Sequence, residues 1–167
     1  FSNENAEIAY NVAPKTKATT DFNTNNVFAS WAYYLPDGKN WEEVGGKNTD
    51  AKEYIINSKI SYQTDKWKNA TDTYYWPKGG KLTFFAYSLN KNNLKLSNGS
   101  SVNCSATTGI TAQIDLKQDA NTDFLVAEIA KDKSANEHTY KYTGVPTLFK
   151  HKLTRVTFTV TQKNYIQ

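Results

Sequence analysis

Apolar residues along this chain recur mostly at every second position, in short runs broken by Pro, Gly and Asn. That is the period of a strand with one or both faces covered. The richest run is residues 74–87. Tyr74, Tyr75 and Trp76 favour strand because bulky rings pack well on a pleated surface. Pro77 cannot donate to a ladder and ends that run, and Gly79-Gly80 supplies a turn. Leu82, Phe84 and Ala86 then alternate with Thr83, Phe85 and Tyr87. Neither face is strongly polar, so this strand is expected to be central, in a hairpin with 74–76 and covered by a second sheet.

The other runs are shorter. Ile8, Tyr10 and Val12 lie on one face of a first strand that Pro14 ends, and Lys15-Thr16-Lys17 follows as an exposed basic turn. Residues 27–35 make a strong second strand, closed by the Pro36-Asp37-Gly38 turn. Residues 53–62 read as a hairpin with its turn at Asn57-Ser58-Lys59. Residues 90–109 form a long polar excursion. Ile110, Ala112 and Ile114 share a face, and Phe124 to Ala127 suits a short buried strand. Residues 131–142 read as a charged loop. Val156, Phe158 and Val160 alternate with polar residues as a half-buried strand. No helical period exceeds two turns. Short strands joined by Gly, Pro and Asn turns predict an all-β sandwich.

Composition narrows the picture. The 167 residues suffice for one domain that buries roughly 68–70% of its unfolded surface without metal or disulfide staples. With 11 Tyr, 8 Phe and 4 Trp, the rings must carry much of the core. The net charge of +4 is spread along the chain, and Arg155 is the only arginine. Both facts point away from nucleic acid, which favours clustered Lys and Arg. The single cysteine, Cys104, rules out an internal disulfide. No apolar run approaches the ~18 residues of a membrane-spanning helix. The chain has no methionine and no visible signal peptide, and it reads as a processed or trimmed piece.

Catalytic chemistry is thin. His138 and His151 belong to no metal spacing, and no phosphate loop, nucleophile elbow or HExxH motif is present. Asp115, Asp119 and Asp123 recur across turns without the dense oxygen spacing of calcium loops. No cofactor and no enzymatic activity are expected. Trp31, Trp67 and Trp76 read as core, whereas Trp41, in a loop, is the candidate for stacking against a sugar or other host ligand. Asn69-Ala70-Thr71, Asn98-Gly99-Ser100 and Asn103-Cys104-Ser105 match the glycosylation pattern, and no function is assigned to them.

Four ordered segments resemble the fimbrillin family of Bacteroidetes surface pilins, the Mfa-like and FimA-like proteins. They are the basic turn and aromatic strand of 17–34; Tyr75-Trp76-Pro77 with residues 82–87; Asp123 to Ala127; and Phe149-Lys150-His151-Lys152-Leu153-Thr154-Arg155-Val156-Thr157-Phe158. Trp76, Phe84, Leu125, Leu153, Val156 and Phe158 are the signature positions expected in the core. The resemblance implies a transthyretin-like Greek-key sandwich of about seven main strands with long polar loops. It implies an N-terminal domain over residues 1–163, with 164–167 starting a linker to a second sandwich. It further implies a non-enzymatic stalk, anchor or tip subunit at the cell surface, exported as a lipoprotein whose anchor is absent from this chain. Its partners would be other fimbrial subunits. Cleavage at Lys15 or Lys17, where the best-known members have arginine, would remove the strand of Ile8, Tyr10 and Val12, and a strand from the next subunit would replace it. A host glycan or protein ligand is the alternative partner.

Overall fold

The structure, a computed structural model, describes residues 6–14, 22–41, 51–137 and 143–152. All ten of its extended elements are strands: β1 (Tyr10–Pro14), β2 (Val27–Leu35), β3 (Lys52–Gln63), β4 (Lys66–Asn69), β5 (Lys81–Ser88), β6 (Ser101–Ser105), β7 (Gly109–Gln113), β8 (Leu125–Ala127), β9 (Ala130–Lys133) and β10 (Val145–His151). Eight of them form one mixed sheet in the order β2-β3-β4-β1-β10-β8-β5-β9. Because β2 also pairs with β5, the ladder returns on itself. Strands β6 and β7 stand apart as a hairpin.

Closure sorts the alternating side chains into two cores. Inside the ring lie Phe28 and Ala32 of β2, Leu82, Phe84 and Ala86 of β5, and Ile55, Ile60, Trp67, Leu125 and Phe149. On the outer face of β2 and β5, Ala29, Trp31, Tyr33, Leu35, Phe85 and Tyr87 form a second core with Trp41, Leu89 and Phe124. The hairpin residues Val102, Cys104 and Ile110, with Leu94 and Leu96, cover it. The central strand is therefore buried on both faces, as its sequence predicts, but a two-stranded hairpin and loops cover its second face where a full second sheet was expected. Each large side chain so buried contributes about 1.5–3 kcal/mol.

Four local readings change. Residues 53–62 are not a hairpin. Strand β3 runs through, and Ser30↔Ser58 followed by Ala32↔Ile55 marks a bulge with an extra residue on β3. Asn57 takes the left-handed conformation there (φ 43), which Asn tolerates better than most residues. The turn comes later, at Thr64-Asp65, between β3 and β4. Residues 74–76 do not pair with β5. They bridge to the N-terminal segment instead, through Glu7↔Tyr75. The polar excursion contains β6, and the charged stretch contains β9, which pairs with β5 at Leu82 and Phe84.

Candidate functional site

Strand β1 enters the sheet between β4 and β10. It runs parallel to β10 in a register from Tyr10↔Val145 to Pro14↔Phe149. This is the one parallel pairing of the sheet among the described residues; the others are antiparallel. On its other side β1 meets β4 only at Tyr10↔Trp67. The segment before it is tied to residues 74–76: Ile8 N–H donates to Tyr74 O at 2.8 Å and Trp76 N–H to Ala6 O at 2.9 Å. Val145 N–H donates to Ala9 O at 2.8 Å.

The side chains follow the alternation. Ile8 and Tyr10 are buried in the inner core, and Val12 packs against it, while Asn11 is exposed. Tyr10 meets Phe28 and Phe84 edge-on, with centroids 5.3 and 5.9 Å away. Its hydroxyl donates to Ser30 Oγ at 3.0 Å. Burial pushes the Tyr10 phenol well above its ordinary range, against a smaller opposing effect of that hydrogen bond. Lifting β1 out would thus open an apolar slot walled by Phe28, Trp67, Phe84, Val145 and Phe149, and would leave the β10 ladder, and β4 at Trp67, unpaired. An exposed ladder beside an apolar slot is what an extended segment fills by strand addition.

Of the signature positions, Trp76, Phe84 and Leu125 lie in the same inner core as Tyr10. Trp76 is fully buried and meets Phe84 edge-on at 5.7 Å. Leu153, Val156 and Phe158 lie outside the described residues, as do Lys15, Lys17 and His138. Of the slot walls on β10, Phe149 opens the fourth resemblance segment, whereas Val145 carries no motif. Their alternation with Pro146 and Leu148 was the available signal.

Trp41 is 5% exposed. Its ring packs on Phe85 at 5.6 Å and Tyr33 at 6.1 Å, and the Trp41 backbone N–H donates to Asp132 Oδ1 at 3.1 Å. Stacking a sugar needs an open ring face, and this ring is spent on covering the outer core. Trp41 also lines a cleft of about 360 Å³ with Phe85, Thr108, Gly109 and Ile129.

Several titratable groups are engaged in structure. Burial pushes the Cys104 thiol up to about 11, so it is not a thiolate at neutral pH. His151 Nδ1 lies 2.6 Å from Asp123 Oδ1, and Asn90 Nδ2 donates to Asp123 Oδ2 at 3.0 Å. Asp119 accepts from Ser97 and Ser100. The three regularly spaced aspartates therefore face different partners. Among the described residues, no three or more His, Cys, Asp or Glu are placed to hold a metal ion.

Comparison with known proteins fits this architecture. Residues 14–167 match the family described as fimbrillin-like. The chain belongs to the fimbrillin-like family. A crystal structure of a fimbrial protein from Bacteroides vulgatus shares its fold, with a TM-score of 0.62 at 17% identity. The match covers 88% of this fimbrillin-like chain and 45% of that one, so the chain spans less than half the length of that protein. No curated protein matches the chain.

Proposed function

We propose that this fimbrillin-like chain is a non-enzymatic structural subunit of a bacterial cell-surface fimbria, serving as stalk, anchor or tip, and that β1 is a replaceable strand. The seven-strand ring is read as a flattened transthyretin-like Greek-key sandwich. The carrying observation is the placement of β1. It is the first described strand, it is joined to β4 by one residue pair, and, together with the segment just before it, it delivers Ile8 and Tyr10 to the interior. The basic residues Lys15 and Lys17 follow it directly in the sequence. Proteolysis there would free a strand that an apolar donor segment of another subunit replaces, restoring both ladder and core. Export through a lipid-anchored precursor and surface display belong to the same reading.

The test uses the full-length protein. Brief treatment with a trypsin-like protease, followed by an unboiled denaturing gel, should give a ladder of multimers with a new N-terminus at Thr16 or Ala18. A protein that is cut there and stays monomeric overturns strand donation as the assembly route.

A further inference from the structure

Asn98 is the only asparagine of the chain that precedes a glycine. It sits in the turn Ser97-Asn98-Gly99-Ser100, closed by Ser100 N–H donating to Ser97 O at 3.0 Å. Asn98 and Gly99 are both exposed. Glycine has no Cβ, so its amide nitrogen is unhindered toward the preceding side chain and its backbone dihedrals are free. We propose that Asn98 is a site of spontaneous covalent modification, where attack by the Gly99 nitrogen converts the asparagine to aspartate and isoaspartate.

The atoms balance without an oxidant or a cofactor. The Gly99 nitrogen loses its proton to solvent base and bonds to Asn98 Cγ. The Cγ–Nδ2 bond breaks, and Nδ2 takes up a proton and leaves as ammonia. The five-membered imide that remains joins the Gly99 nitrogen to both carbonyl carbons of residue 98. One water opens it. Cleavage at Cγ gives aspartate on the original backbone; cleavage at the main-chain carbon routes the backbone through Cγ and gives isoaspartate.

The packing retains the reactive pair. A Cβ at position 99 would lie 2.7 Å from Asp115 Oδ2. Asp115 is itself held, because its Oδ1 accepts from Lys117 N–H at 2.9 Å. Other asparagines are differently placed. The Asn69 side chain is committed to Thr71 N–H and Asp72 N–H, and Asn103 lies within the β6–β7 ladder. The consequence falls on the hairpin. Ser97 and Ser100, which flank Asn98, both donate to Asp119, and Ser100 Oγ accepts from Asp115 N–H at 2.8 Å. A new carboxylate at position 98 sits in the chain between Ser97 and Ser100, the two donors that hold Asp119. The isoaspartate form also lengthens the backbone within the turn that ties β6 to residues 115–119.

The intact folded protein is incubated at body temperature in neutral and in mildly alkaline buffer, beside a urea-unfolded sample. Peptide mapping by mass spectrometry and labelling by an isoaspartate-specific methyltransferase follow conversion. In the folded protein, Asn98 should convert faster than any other asparagine, and faster at the higher pH, and Asn98→Gln should abolish the leading label. Conversion in the unfolded sample with Asn98 intact in the folded one overturns the proposal, as does a different asparagine leading in the folded protein.

Discussion

Tyr10 of β1 reaches across the inner core to Ser30 of β2, its hydroxyl donating to Ser30 Oγ at 3.0 Å between two fully enclosed side chains. The first strand is thus held by a ring and a hydrogen bond as well as by its ladder. The two contributions separate by mutation. Tyr10→Phe keeps the edge-on contacts with Phe28 and Phe84 and removes the hydrogen bond, which costs about 1 kcal/mol. Tyr10→Ala empties the slot and costs about 3–5 kcal/mol. Urea unfolding of the domain should rank the variants in that order, with the alanine variant also faster to lose β1 to added protease.

The same burial makes stability fall in alkali. The folded Tyr10 phenol titrates above the value of about 10 expected of an unfolded chain. The folded state therefore favours the neutral phenol, and its advantage is complete below about pH 10 and declines as pH rises through the gap toward the folded value. Tyr33 and Tyr87 shift in the same direction, also chiefly through burial. Phenolate absorbance during alkaline titration should therefore rise together with unfolding. The Tyr10→Phe variant, though less stable at neutral pH, should show a shallower alkaline decline.

Asp119 sets the opposite dependence in acid. Hydrogen bonds from Ser100 and then Ser97 hold its carboxyl below the usual carboxylate range. A depressed folded value means the stabilisation is full above the unfolded value of about 4 and is lost as pH falls through the folded one. Asp119→Asn should remove this part of the acid dependence. Protection of the 97–100 amides, taken relative to the intrinsic exchange rate at each pH, should then be lower at neutral pH and should fall less on acidification than in the parent protein.

The parts legible in the sequence are those where local pattern and long-range packing agree. Strand β5 shows two apolar faces in its residues, and both are buried because the ring and the hairpin cover them. The alternation of Ile8, Tyr10 and Val12 marks a strand, but nothing local indicates that it runs parallel to β10, since a parallel partner is chosen by crossover geometry. Asn57-Ser58 reads as a turn because polar residues interrupt an apolar run; in the fold the same interruption is a bulge on a continuous strand. Lys131 and Asp132 carry no strand signal at all. Their ladder exists because β5 needs a partner at Leu82 and Phe84. Trp41 could be placed in a loop from sequence, but the direction its ring turns depends on Phe85, whose outer face requires cover.

Gly144 offers the sharpest test of β1 insertion. Its φ of +91 is strained for any residue with a Cβ, and a Cβ there would lie 2.7 Å from the Tyr10 carbonyl carbon and 2.9 Å from both Ala9 O and Asn11 N. These are backbone atoms, so no side chain can swing away to make room. Gly38 provides the control: its φ is +80, but nothing lies within 4 Å of the added atom. Gly38→Ala should thus show only the conformational cost, about 1 kcal/mol. Gly144→Ala should cost clearly more, because β1 or the start of β10 must shift and the Val145 N–H to Ala9 O bond must stretch. Amide exchange should localise the extra loss to residues 8–12 and 145–149, leaving the β6–β7 hairpin unchanged. Equal losses for the two glycine variants would mean that the first strand is not clamped where the structure places it.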